Sequence, residues 1–186
     1  MKNTFRSGYM IRDQYATHFM TFTICGWIDL LTRKVYKDII IDSFKHCQRE
    51  KGFVLNAFVM MSNHIHVMAR AGIEKYTLSD IVRDFKKFTH HTMMPVIQSD
   101  QESRRLWMLH QFKYYGTRNN RNENYQVWTN NNHPEECFGA KFIQTKLDYI
   151  HDNPVRAGIV SSPEDYVYSS AANYMGKQGI IDVEVI

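Results

Sequence analysis

The apolar segments "FVLNAFVMM" (residues 53–61) and "HIHVMARA" (residues 64–71) are separated only by Ser62 and Asn63. Both are rich in β-branched, aromatic and other apolar residues, and a two-residue gap is what joins antiparallel strands in a tight hairpin. Whatever else the chain does, it must build a sheet around this hairpin and bury at least one face of it. One detail does not suit a purely structural strand. Its second half opens with His64 and His66, and because side chains alternate across a strand the two imidazoles share one face while Ile65 and Val67 share the other.

The elements around the hairpin follow from local pattern. Residues 18–27, "HFMTFTICGW", read as a strand. Residues 33–52 read as a helix with Val35, Ile39, Phe44 and Cys47 inward and Gly52 as its stop. In "TLSDIVRDFKKFTHHTM", Leu78, Ile81, Val82, Phe85 and Phe88 define one helical face, Thr77 caps the start ahead of Asp80, and the opposite face carries Arg83, Lys86 and Lys87. Residues 94–124 are polar and irregular, with a short helix near "RRLWMLHQF", and "YQVWT" (residues 125–129) reads as a fourth strand. A last helix lies within residues 134–153 and ends near Pro154, because proline disfavours a helical residue before it. The order is strand, helix, strand, strand, helix, strand, helix. That predicts an α+β, ferredoxin-like split βαβ plan: an antiparallel sheet with helices on one face and an added C-terminal helix. Residues 1–175 read as a single domain and 176–186 as an extension whose "IIDVEVI" could add a strand or a subunit contact.

Bulk properties narrow the class. A chain of 186 residues is long enough for one full core. Its three cysteines are scattered with no CxxC pair, which fits reduced thiols rather than a disulfide framework or zinc ribbon. No apolar run approaches the roughly 20 residues that span a bilayer, and no signal peptide is visible, so a soluble cytoplasmic protein is expected. The net charge of +4 permits a polyanionic partner without requiring one. In "KYYGTRNNRN", Lys113, Arg118 and Arg121 interleave with Tyr114 and Tyr115, a mixture suited either to single-stranded nucleic acid or to a solvated loop.

Several chemistries use a His-x-His pair. A histidine-triad nucleotide hydrolase needs a third histidine where Met68 stands, and a two-histidine phosphoesterase needs Thr or Ser two places after each imidazole; neither pattern is present. An endonuclease that holds a divalent ion on the pair needs a nearby tyrosine nucleophile and a further ligand. In "LDYIHDNPVRAG", Tyr149 and Asn153 are four apart and share a helix face, at the edge of the stripe formed by Ile143, Leu147 and Ile150. That edge position suits a reactive phenol and a core tyrosine equally.

Taken together, "MSNHIHVMAR", "YIHDNPVRAGIV" and "PEDYVYSSAANY" resemble the HUH single-tyrosine transposases, and most closely the REP-associated branch, over residues 18–174. Ser62 departs from the proline that many members place before Asn-His, which alters the turn but no ligand. The resemblance implies that His64, His66 and Asn153 bind Mg²⁺ or Mn²⁺ and that Tyr149 is the nucleophile, giving a 5'-phosphotyrosyl intermediate on hairpin-bearing single-stranded DNA. It also implies a homodimer. A phenol is a weak nucleophile near neutral pH because its ordinary pKa is about 10, so charge developing on the phosphate has to be stabilised. Arg83, Lys86, Lys87, Lys113, Arg118 and Arg121 are expected along the DNA backbone. Arg156 could contact phosphate or pair with Asp152 or Asp165. Two other readings remain: a domesticated hairpin-binding protein that does not cleave, and a rolling-circle initiator or relaxase-like nickase.

Overall fold

Alternation in the hairpin decides how the layers assemble. A computed structural model of the chain describes residues 10–118 and 124–186. Its strands are β1 (His18–Thr23), β2 (Phe53–Met60), β3 (His64–Ala71) and a short β4 (Glu135–Glu136), in the antiparallel order β2-β3-β1-β4. Its helices are α1 (Lys34–Lys51), α2 (Leu78–Gln98), α3 (Arg105–Thr117), α4 (Ala140–Arg156) and α5 (Ala171–Tyr174). This is the expected α+β plan, with α1 and α2 on one sheet face and the added helix α4 on the other.

Ile65, Val67, Ala69 and Ala71 of β3 face α1 and α2, together with Met20 and Phe22 of β1. Phe19, Met68, Ala57 and Val59 face α4 and meet Leu147 and Ile150. Asn56 makes this division possible. It is an extra residue between the pairs Leu55–Ala69 and Ala57–Met68, and the bulge reverses the alternation of β2, so that Phe53 and Leu55 face α1 before it and Ala57 and Val59 face α4 after it. Its buried side chain is held by Thr17 Oγ1 at 3.1 Å and by donating to Glu184 O at 3.0 Å.

Several local expectations shift by a residue or more. The buried stripe of α1 is Tyr36, Ile40, Ile41, Phe44 and Cys47, while Val35 is exposed. In α2 the capping box between Thr77 and Asp80 forms as expected, but Phe88 is exposed and Thr89 points inward, where it accepts the Trp128 indole N–H at 2.9 Å. α2 runs through Pro95 to Gln98, and the short helix expected near "RRLWMLHQF" forms as α3 but is longer, 13 residues reaching Thr117. Residues 125–129 run beside the end of β1 without forming a regular strand, with Cys25 N donating to Val127 O and Thr129 N to Thr23 O around a bridge from Ile24 to Trp128. The fourth strand is Glu135–Glu136, fixed by pairing to His18 and Phe19. α4 continues past Pro154, which is buried, to Arg156.

The tail packs against its own domain. Glu184 N donates to Leu55 O at 2.9 Å, Glu184 pairs with Arg70, and Ile181 joins the core. With Met60 N donating to Tyr168 O and Ser170 N to Phe58 O, the outer edge of β2 is covered by the chain itself. Among the described residues no helix is long and apolar enough to cross a membrane.

Candidate active site

The face of the sheet under α4 gathers the histidines and the tyrosine. In register, Thr21 and Val59 flank His66 and Thr23 lies beside His64. The two imidazole centroids are 4.7 Å apart, and the Tyr149 ring lies 5.0 Å from His66. Tyr149 Oη is 3.3 Å from His66 Nε2, and the residue is 38% exposed, so the tyrosine both contacts His66 and remains accessible to a ligand. Leu147 and Ile150, buried on either side of it in sequence, fix the helix to the sheet.

Hydrogen bonds orient both rings. Asn63 Nδ2 donates to Trp27 O at 3.2 Å, which turns its carbonyl oxygen toward His64 Nδ1 at 2.7 Å. That oxygen can only accept, so His64 carries its proton on Nδ1 and leaves a bare lone pair on Nε2. His66 Nδ1 contacts Thr21 Oγ1 at 2.9 Å; a hydroxyl can accept there as well, with the same consequence for Nε2. Burial lowers the pKa of His64. The pKa of His66 falls to about 3, chiefly through burial, with His64, Lys146 and Arg156 adding repulsion. Both rings are therefore neutral near pH 7, the form that binds metal.

Asn153 lies one turn beyond Tyr149 on α4 and is half-buried. Among the described residues no group of three or more His, Cys, Asp or Glu could hold a metal ion. Two neutral imidazoles plus an amide oxygen form a different donor set. His64 and His66 share one sheet face with their Nδ1 atoms engaged by Asn63 and Thr21, and such neutral imidazoles suit a divalent ion that keeps open positions. Asn153 shares their helix-covered side only through its place one turn beyond Tyr149.

Two cations of α4 lie near His66 and Tyr149. Arg156 lies 4.7 Å from the Tyr149 ring centroid and donates to Tyr149 O at 3.1 Å, so it pairs with neither Asp152 nor Asp165. Lys146, three residues before Tyr149, pairs with Glu135 at 2.9 Å and lies 4.2 Å from the Phe19 centroid. The roles of Thr21, Asn63, Lys146 and Glu135 were not read from sequence. Asn63 adjoins the His pair and Thr21 is a polar break in an apolar strand, but their function depends on register and on a turn reaching across from β1.

The basic residues of α2 do not form one free face. Arg83 is exposed and paired with Asp80 and Asp84 on its own helix. Lys87 is exposed. Lys86 turns inward: its ammonium donates to Thr129 O at 2.8 Å and to Asn132 Oδ1, and burial lowers its pKa to about 7. All three line a groove of about 1140 Å³ between α2 and residues 124–134. That segment runs along β1, since Thr129 N donates to Thr23 O and Thr21 N to Asn132 O, so the groove opens at the sheet edge rather than beneath α4. On α3, Lys113 is exposed, and Arg118, just past the end of the helix, lies over the Tyr114 ring at 3.9 Å. Arg121 lies outside the described residues.

No protein-family model and no curated protein matches the sequence. Among solved structures, the chain resembles a REP-associated tyrosine transposase bound to a REP hairpin, with TM-score 0.63 and 20% identity over 100% of this chain and 95% of that one. At this identity the likeness establishes the fold. A chain of Deinococcus radiodurans R1, provisionally described as a transposase, aligns with TM-score 0.43 and 13% identity over 74% of this chain and 91% of that one.

Proposed function

We propose that the chain is a metal-dependent single-stranded DNA endonuclease and strand transferase, a transposase of the HUH single-tyrosine type, acting in the cytoplasm on DNA with hairpin elements. The observation that carries this reading is the placement of Tyr149 Oη 3.3 Å from His66 Nε2, with His64 next to His66, on the sheet face that α4 covers. His64, His66 and Asn153 would hold Mg²⁺ or Mn²⁺. When bound, such an ion polarises a phosphoryl oxygen and stabilises the charge that develops on it.

The chain's own groups do the rest. Tyr149 Oη attacks phosphorus, the bond from phosphorus to the 3' oxygen breaks, and the products are a 5'-phosphotyrosyl linkage and a 3'-hydroxyl. The phenolic proton leaves the tyrosine and the 3' oxygen gains one, so no cofactor is consumed. Because the linkage conserves the phosphodiester bond, a second 3'-hydroxyl can reverse the step onto a new strand. Arg156, which lies over the Tyr149 ring, would meet the phosphate. Arg83 and Lys87, with Lys113 and Arg118, would follow the backbone. The ion pairs of Arg83 are solvent-exposed and worth little, so phosphate can compete for it. Lys86 is left out because its ammonium is committed to residues 129 and 132. That the solved transposase of like fold carries a REP hairpin supports hairpin DNA as the partner. A homodimer would have to form away from the β2 edge, which is already covered.

The test mixes the protein with hairpin-bearing single strands and Mn²⁺ or Mg²⁺ and looks for an adduct that survives denaturation. Formation by the wild type, with loss in Tyr149→Phe and in EDTA, is expected. Tight hairpin binding with no adduct would replace this reading by that of a non-cleaving binder, and an adduct in Tyr149→Phe would mean another nucleophile.

A further inference from the structure

The turn leaving β1 holds a large aromatic ring in solvent beside the histidines. We infer that Trp27 is a binding platform for one unpaired nucleobase, on the side of the imidazoles away from Tyr149; this rests on the strand-transfer reading for the position of the DNA.

Trp27 is 66% exposed although its neighbours Cys25 and Ile28 are buried, so it is not there to fill the core. Its φ of 56° lies in the left-handed region, an outlier for a bulky residue. Such strain persists only where the surroundings enforce it, and it concentrates at functional sites. Here the enforcing contacts are specific. Trp27 N donates to Ile24 O at 3.1 Å, and its carbonyl accepts Asn63 Nδ2 at 3.2 Å. Gly26 before it is also left-handed, at φ 67°, and a Cβ there would come within 2.9 Å of the Tyr115 ring. Asn63 thus fixes two things with one amide: the proton on His64 Nδ1 and the backbone that carries Trp27.

Ring contacts run in series. Trp27 meets His64 edge-on at 5.9 Å, His64 meets His66 at 4.7 Å, and His66 meets Tyr149 at 5.0 Å. A phosphate held at the imidazoles therefore has the nucleophile on one side and an exposed indole on the other. DNA cleaved as a single strand presents unstacked bases next to that phosphate, and an aromatic ring accepts any of them because every base has a π-face. The ligand is thus an unpaired nucleobase, with little preference among the four.

The test places 2-aminopurine, one position at a time, on both sides of the cleaved phosphate in a hairpin-bearing oligonucleotide. One position is expected to be quenched by the wild type, to lose that quenching with Trp27→Gly or Trp27→Ala, and to keep much of it with Trp27→Phe. Trp27→Gly suits the left-handed backbone, so it removes the ring without adding strain. An abasic residue at that position should weaken wild-type binding about 5- to 100-fold, Trp27→Gly should do the same, and the two together should lose no more. Unchanged affinity and quenching in Trp27→Gly would overturn the inference, as would two losses that multiply. Adduct formation, scored in the same samples, reports on strand transfer separately. Adduct without a Trp27-dependent position removes the platform alone, whereas a Trp27-dependent position without adduct keeps the platform on a protein that binds single strands but does not cleave them.

Discussion

Asn63→Ala separates folding from chemistry more cleanly than any change to the histidines themselves. The side chain makes two hydrogen bonds, to His64 Nδ1 at 2.7 Å and to Trp27 O at 3.2 Å, and its residue is only half-buried. Water can replace the amide at both, so the fold should lose about 1 kcal/mol, or roughly 2–4 °C in melting temperature for a chain of this size. The hairpin survives because the backbone carbonyl of Asn63, which accepts Ile24 N at 2.9 Å, is untouched. The effect on His64 is larger. Without an acceptor at Nδ1 the ring can carry its proton on either nitrogen and can rotate, and loss of such a supporting hydrogen bond ordinarily costs about 10- to 100-fold in metal affinity. Titration calorimetry with Mn²⁺ should show that loss in Asn63→Ala. It should show little or none in Asn63→Asp, which keeps an oxygen for Nδ1–H while giving up the donor to Trp27. The argument fails if Asn63→Ala binds Mn²⁺ within twofold of the wild type, or if Asn63→Asp is as weak as Asn63→Ala.

Other expectations test the surrounding frame. Ile150→Ala, at a fully buried site between α4 and the sheet, should cost about 2–5 kcal/mol by urea titration with an unchanged slope, and a loss under 1 kcal/mol would mean α4 is loosely seated. Lys86 should make stability rise with pH between about 7 and its ordinary 10.5, because across that window the unfolded chain holds a proton that the folded one has lost. Lys86→Met should remove up to ~1.4 kcal/mol per pH unit of that slope, and parallel stability curves would show a hydrated ammonium instead. Replacing Arg83 and Lys87 together by Ala should flatten the salt dependence of single-strand binding by about 0.7 for each phosphate no longer neutralised, and an unchanged slope would mean α2 does not touch DNA.

What could be read from sequence was whatever depends on local periodicity. Strand alternation put His64 and His66 on one face and Ile65 and Val67 on the other, and helical spacing put Tyr149 on the shoulder of the apolar stripe of α4. Local pattern missed what depends on pairing between distant segments. A two-residue edge strand at Glu135–Glu136 has no sequence signature, because its geometry comes from His18 and Phe19 opposite. The bulge at Asn56 follows from contacts with Thr17 and Glu184, far away in sequence. Lys86 looked like a solvent-facing cation because its helix position is polar, yet residues 129–132 fold back over it. Thr21 could be assigned to His66 only once the register of β1 on β3 was known.

The bulge connects these two levels. Without the extra residue, Ala57 and Val59 would continue toward α1, and β2 would offer α4 a different set of side chains. With it, β2 and β3 present small and apolar residues to Leu147 and Ile150, and α4 settles close enough for Tyr149 to reach His66. The position of Tyr149 is thus set by apolar packing beneath it, and not by the single 3.3 Å contact it makes with the imidazole. Dispersion and burial hold a helix on a sheet through many contacts at once, whereas one long hydrogen bond to a neutral ring contributes little. Tyr149 can therefore leave His66, as the proposed attack on a phosphate requires, while its helix stays where it is. A side chain anchored mainly by its own functional contact would lose its placement in the act of reacting.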